Sequence, residues 1–148
     1  MPGLVQDVTG NYLTYQIIGA AMAIHNRLGP GYKEEIYEKA LFVELQNKQI
    51  QAENQYPVDV FDGNTHLARF YLDLFIQDQV VIEIKAFSHQ LTNDELAQMI
   101  NYLKATQVPV GLLFNFGRRC LEFRRVFPGR NAAPVQRVGR DDVYKSSK

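Results

Sequence analysis

Two short runs near the middle of the chain alternate between apolar residues and a second set that mixes aromatics with charge. In Phe70-Tyr71-Leu72-Asp73-Leu74-Phe75-Ile76, a strand sends Phe70, Leu72, Leu74 and Ile76 to one face and Tyr71, Asp73 and Phe75 to the other. In Val80-Val81-Ile82-Glu83-Ile84-Lys85-Ala86-Phe87, the even positions form a continuous apolar face, and Val81, Glu83, Lys85 and Phe87 share the opposite one. The pattern predicts a hairpin that holds Asp73, Glu83 and Lys85 among apolar neighbours.

The flanking patterns supply the rest of a fold. Residues 11–28 read as a helix, with Ile17, Ile18, Ala21, Met22, His25 and Leu28 at helical spacing and Gly29-Pro30 as a stop. A second helix is expected over residues 33–48, on the stripe Ile36, Tyr37, Ala40, Leu41, Val43 and Leu45. Residues 50–60 look like a strand, Asp62-Gly63-Asn64 like a turn, and residues 66–76 like the returning strand. Thr92-Asn93-Asp94-Glu95 has the form of a capping box, so a third helix should run to about residue 106 with Leu96, Met99, Ile100 and Leu103 inward. Residues 108–116 are nearly all apolar and predict a buried strand, and 120–127 a last one. The order α-α-β-β-β-α-β-β implies a mixed sheet with helices packed on it, in one domain over residues 1–127.

Strand pairing turns the charge pattern into chemistry. If the turn centres on Asp78, residues whose numbers sum to 156 face each other, and Asp73 falls opposite Glu83. Side chains so opposed have Cβ atoms about 5 Å apart, and like charges there repel. A divalent cation reconciles them: hard cations such as Mg²⁺ take carboxylate and carbonyl oxygens, here Asp73, Glu83 and the carbonyl of Ile84, with Lys85 reaching the same spot. The ordinary alternative, a solvated charged face, fits poorly with Tyr71, Phe75, Val81 and Phe87 alongside.

Bulk properties narrow the setting. With 148 residues, 46% hydrophobic and 22% charged, the chain suits one globular domain. No segment reads as an export signal or a membrane span, and Cys120, the only cysteine, allows no internal disulfide, so a reducing cytoplasm is expected. Between Leu121 and Phe123, Cys120 reads as an inert strand cysteine. Net charge is zero but uneven. Nine basic and three acidic residues over 118–148 give +6, leaving seven basic and thirteen acidic, or −6, before them. The stretch 128–148, rich in Gly, Pro, Asn and Ser, reads as a basic flexible tail, which suits either solvation or a phosphate-rich partner.

Other polar positions are less decisive from spacing. Glu34 opens the second helix, where it could turn toward the metal or simply favour the helix dipole, and it shares a face with Tyr37. Gln98 and Tyr102, one turn apart beside the apolar stripe of the third helix, could hold a phosphate or a base, or merely border the stripe. His25 continues an apolar stripe and reads more readily as a satisfied core histidine than as a ligand.

Taken together these pieces resemble the GxxExxY protein family, a RecB-like branch of the PD-(D/E)XK nuclease superfamily, over roughly residues 15–117. Ile24-His25-Asn26-Arg27-Leu28-Gly29-Pro30-Gly31 running into Glu34 and Tyr37 is similar to the naming motif and its lead-in. Asp73 matches the motif aspartate, Glu83-Ile84-Lys85 the E-x-K signature, and Gln98 with Tyr102 the Q-x-x-x-Y motif. Asn101-Tyr102-Leu103-Lys104-Ala105 and Leu113-Phe114-Asn115-Phe116-Gly117 also look like family text. Leu72 stands where the superfamily name has proline.

The resemblance implies a restriction-endonuclease-like α/β core and a Mg²⁺- or Mn²⁺-dependent nuclease, with DNA the expected substrate. It implies Asp73, Glu83, Lys85 and Glu34 as catalytic residues, and Asp73, Glu83, Ile84 and Glu34 around the metal. Gln98, Tyr102 and Tyr37 become substrate contacts. The rival reading is a non-catalytic nucleic-acid-binding or interaction module that retains the site, and zero net charge lends it weight. The sequence fixes no oligomeric state and admits a homodimer.

Overall fold

The computed structural model describes residues 11–76 and 78–129; the tail expected over 128–148 therefore lies almost wholly outside the described residues. Two helices come first, α1 (Asn11–Leu28) and α2 (Glu34–Asn47), then strands β1 (Glu53–Asp62), β2 (Thr65–Ile76) and β3 (Val80–Lys85). Helix α3 (Asn93–Thr106) leads to β4 (Val110–Asn115) and β5 (Glu122–Val126). The observed order is the one that the hydrophobic pattern predicts.

Local signals set the boundaries. At the end of α1, Gly29 adopts φ +69° and its N–H donates to the carbonyl of His25 at 2.8 Å, a left-handed cap that glycine accommodates without strain. Helix α3 begins at a true capping box: Asp94 N–H donates to the Thr92 hydroxyl at 3.2 Å, and Thr92 N–H donates to the Glu95 carboxylate at 2.6 Å. Helix α2 lacks a side-chain cap, and Glu34 and Glu35 in its first turn complement the helix dipole instead.

The five strands form one mixed sheet in the order β1-β2-β3-β4-β5. Strands β1, β2 and β3 are an antiparallel meander; α3 is the crossover that lets β4 run parallel to β3, and β5 returns antiparallel. One face carries α1 and α2, with Ile17, Ile24, Tyr37, Leu41 and Leu45 packed on Leu74, Ile82, Ile84, Leu112 and Phe114. The other carries α3, with Leu96, Met99, Ile100 and Leu103 against Leu72, Phe75, Val81 and Leu113. Strands β3 and β4 are covered on both sides, which explains their nearly unbroken apolar runs.

Four expectations need correction. The apolar stripes of the first two helices are narrower than the sequence suggests: Met22, Ile36 and Val43 are more than two-fifths exposed, because the face turned to the sheet is set by Ile17, Ala21 and Ile24 on α1 and by Tyr37, Leu41 and Leu45 on α2. Cys120 is exposed in an irregular stretch before β5, since the strand starts only at Glu122. Tyr37 is fully buried. The fourth concerns β2, whose side chains do not keep one alternation along the strand. Leu74 and Ile76 face α1 and α2, whereas Leu72 packs in the α3 cluster and the Phe70 ring lies 5.9 Å from that of Tyr102 on α3. The faces exchange at Asp73, opposite Gln55, whose φ of +53° breaks the ladder on β1.

Candidate nuclease site

The predicted register holds where the hairpin is regular. Leu74↔Ile82, Phe75↔Val81 and Ile76↔Val80 are paired, each summing to 156. One step further the ladder stops, and side chains take the place of main-chain partners. Ile84 N–H donates to Asp73 Oδ2 at 2.7 Å, and Asp73 N–H donates to Glu83 Oε2 at 3.2 Å. The two carboxyl groups lie close enough for each to act on the other's titration. Asp73 and Glu83 thus face each other as expected, across a split in the sheet rather than across a ladder rung.

Burial dominates the electrostatics of the pair. Glu83 is only 6% exposed, and desolvation, reinforced by the Asp73 charge, pushes its carboxyl up to about 8. Desolvation likewise raises Asp73, opposed by the Ile84 amide and the nearby Lys85 ammonium. These effects favour a protonated Glu83 at neutral pH. Tyr102 closes the α3 side: burial and then the charges of Glu83 and Asp73 push its phenol up to about 12.

On the other side lies a cleft between α2 and the β1–β2 ribbon, lined by Glu34, Glu35, Glu38, Lys39, Phe42, Asn54, Gln55 and Asp73. Glu38 is the acid of α2 that feels Asp73 directly, and its carboxyl is raised mainly by desolvation. Glu34, one turn earlier, is exposed and lines the same cleft. Gln55 spans the gap, donating from Nε2 to both oxygens of Glu38 at 3.2 and 3.0 Å and lying near enough to Asp73 to oppose the rise of its carboxyl. Neither Glu38 nor Gln55 stands out in the sequence reading. Glu38 carried a signal that could have been used, its i,i+4 spacing from Glu34, whereas nothing local marks Gln55.

The end of β3 is clamped so that Lys85 stays beside the acids. Asn115, fully buried, accepts from Phe87 N–H at 2.8 Å and Gly117 N–H at 3.2 Å, and donates to the carbonyl of His89 at 2.9 Å and to Glu122 at 3.1 Å. Gly117 passes so close to Ala86 and Phe87 that a Cβ would collide with their backbone. The Lys85 ammonium lies 6.0 Å from the centre of the Phe87 ring.

A family model for the PD-(D/E)XK nuclease superfamily matches residues 11–126, from the first residue of α1 to the last of β5. The chain belongs to the PD-(D/E)XK nuclease superfamily. No curated protein and no solved structure matches it. Membership in the PD-(D/E)XK superfamily makes hydrolysis of nucleic acid the expected chemistry and a divalent metal the usual aid.

The remaining residues separate by position. Gln98 is exposed on α3 one turn before Tyr102. Tyr37 is not with them: its ring stacks on Phe116 at 4.6 Å, its hydroxyl donates to the carbonyl of Gly29 and accepts from Tyr32 N–H at 3.1 Å, and it has no surface left for a substrate. His25 is a satisfied core histidine, its Nε2 2.8 Å from the carbonyl of Arg118. Among the described residues, no three His, Cys, Asp or Glu side chains are gathered closely enough to hold a metal between them. The buried Asp73–Glu83 pair nevertheless fits a hard dication: two oxygen donors share a site where neither can be comfortably ionised alone. No helix among the described residues is long and apolar enough to cross a membrane.

Proposed function

We propose that the protein is a Mg²⁺- or Mn²⁺-dependent phosphodiesterase that cleaves DNA, and that it falls in the GxxExxY family of the RecB-like branch. The observation that carries this reading is the buried, hydrogen-bonded Asp73–Glu83 pair with Lys85 two residues further along β3. Asp73 and Glu83 would hold the ion, with the Ile84 carbonyl as a further oxygen and Glu38 or Glu34 contributing from α2. The bound ion lowers the pKa of a water and offsets charge on the scissile phosphate.

The protein's own groups do the rest. The Ile84 and Asp73 amides fix the two carboxylates, so little reorganisation is needed when Glu83 loses its proton. Lys85 orients the attacking water or stabilises charge on the phosphate. Tyr102, its proton held firmly by the neighbouring acids, donates to phosphate or base, and Gln98 extends that contact outward. The exposed, unpaired Cys120 suits a reducing cytoplasm.

The test is a cleavage assay on single- and double-stranded DNA and on RNA, with Mg²⁺ or Mn²⁺, using wild type and Asp73→Ala. Metal-dependent cleavage of DNA lost in the variant supports the assignment; undiminished cleavage by Asp73→Ala refutes it. Stabilisation by metal without cleavage of any nucleic acid points to the non-catalytic module.

A further inference from the structure

The register of the β1–β2 ribbon is constant from Glu53↔Phe75 to Val60↔Ala68 except at one place, where Gln55 falls opposite Asp73 and is not paired with it. Gln55 sits at φ +53°, a region that residues with a Cβ rarely adopt. Glycine would relieve the backbone. The chain instead keeps a side chain there, and that side chain ends in an amide that donates to both oxygens of Glu38 and lies near enough to Asp73 to oppose the rise of its carboxyl. Two acids from different elements, α2 and β2, thereby feel one neutral donor.

We propose that Gln55 is a positioning residue that stands in for the cation, holding Glu38 and Asp73 in place in the metal-free protein and yielding when a divalent ion arrives. This rests on the reading of Asp73 as a metal ligand. An amide N–H₂ offers two donors to anionic oxygens, as a cation offers charge, but it contributes no charge of its own. The ion must therefore displace hydrogen bonds that the metal-free site already makes, and Glu38 becomes available to it only when Gln55 lets go. The tie accounts for Glu38 not joining Asp73 and Glu83 in a three-acid cluster. Burial raises the Glu38 carboxyl, and the Gln55 bond opposes that rise, as a donor to the ionised carboxylate should.

The test is calorimetric titration of metal-free protein with Mn²⁺ alone, together with thermal melting. Gln55→Ala keeps a Cβ at the strained position and removes only the amide; it should melt lower without metal and bind Mn²⁺ about tenfold tighter, the scale of a lost hydrogen bond to a charged group. Gln55→Gly, which suits the left-handed backbone, should show the same tightening and guards against an Ala variant that fails to fold. Adding Glu38→Gln to either variant should cancel the gain. A folded Gln55→Ala or Gln55→Gly that binds Mn²⁺ no tighter than wild type overturns the stand-in role while leaving the metal site intact. Wild type that binds no Mn²⁺ overturns both.

Discussion

Strand β3 has two unlike edges. Against β4 it is paired over its whole length, from Val80↔Val110 to Lys85↔Asn115, and both faces of that pairing are covered by apolar side chains. Against β2 it is paired only over Val80, Val81 and Ile82, after which the strands part and carboxylates bond the freed amides of Asp73 and Ile84. A buried amide must have a partner. Along the closed edge that partner is backbone; along the open edge it is an acid, so satisfying the main chain and positioning the proposed catalytic groups are one and the same act. The closed edge keeps β3 still while the open edge presents Glu83 and Lys85.

The largest break in that contrast comes from the open edge. Asp73→Ala, Glu83→Ala and Lys85→Ala should each lower metal-dependent DNA cleavage by about 10³-fold or more, the range for removing a group that meets charge developing in the transition state. Each should keep a cooperative melt near that of wild type: for the acids, losing one buried carboxyl relieves desolvation even as it leaves an amide unpartnered, and Lys85 is only half-buried. Loss of folding in all three would mean that the split is a structural feature first.

The open edge should also make stability depend on pH. Glu83 has its pKa raised from 4.5 to about 8 by burial and by Asp73, so the folded, metal-free protein binds a proton that the unfolded chain has released. The stabilisation is complete below pH 4.5 and is lost as pH rises through about 8. Thermal melts in a metal chelator should thus fall steadily across neutrality. Mn²⁺ should abolish the slope by replacing the proton, and Glu83→Gln should flatten it without metal. A melt that rises over this interval would contradict the burial-driven account.

The same contrast explains what could be read from the sequence. Caps and hydrophobic periods decide elements locally, so Thr92 with Glu95 marked the start of α3, Gly29 the end of α1, and the turn at Asp78 the register as far as Leu74 and Ile82. Past that point the strand no longer obeys its own period. The exchange of faces between Leu72 and Leu74 falls opposite the left-handed backbone of Gln55, and glutamine is not a residue that announces a positive φ. Glu38 was hidden for the opposite reason: one more glutamate a turn after Glu34 and Glu35 looks ordinary until the fold turns it toward Asp73. Tyr37 misled because an aromatic beside Glu34 fits a binding motif as well as a core, and only packing against Phe116 separates the two.

On the closed edge, Gly117→Ala should cost stability by about 1–3 kcal/mol, since its Cβ would meet the backbone of Ala86 and Phe87, which cannot rotate away. Gly111→Ala is the useful companion. Its Cβ would meet the Met99 side chain, which is flexible and can retreat, so the loss should be smaller. Chemical denaturation of both variants checks the order. Because Gly117 sits just past the strand end that carries Lys85, its variant should also lose some cleavage per folded molecule, and the Gly111 variant should not.

The smallest effect separates packing from contact with substrate. Tyr37→Phe keeps the ring against Phe116 and removes only the hydroxyl that joins the Gly29 carbonyl to the Tyr32 amide. Both partners lie close enough to the surface for water to replace the hydroxyl, so the cost should be about 0.5–1.5 kcal/mol in denaturation. KM for DNA should not change, whereas Tyr102→Phe, which removes a hydroxyl at the edge of the acid pair, should raise KM with little loss of stability. If Tyr37→Phe raised KM and left stability alone, the loop from Gly29 to Tyr32 would have to open in solution to let the ring reach substrate. The burial that excludes Tyr37 from the site would then describe only one state of the protein.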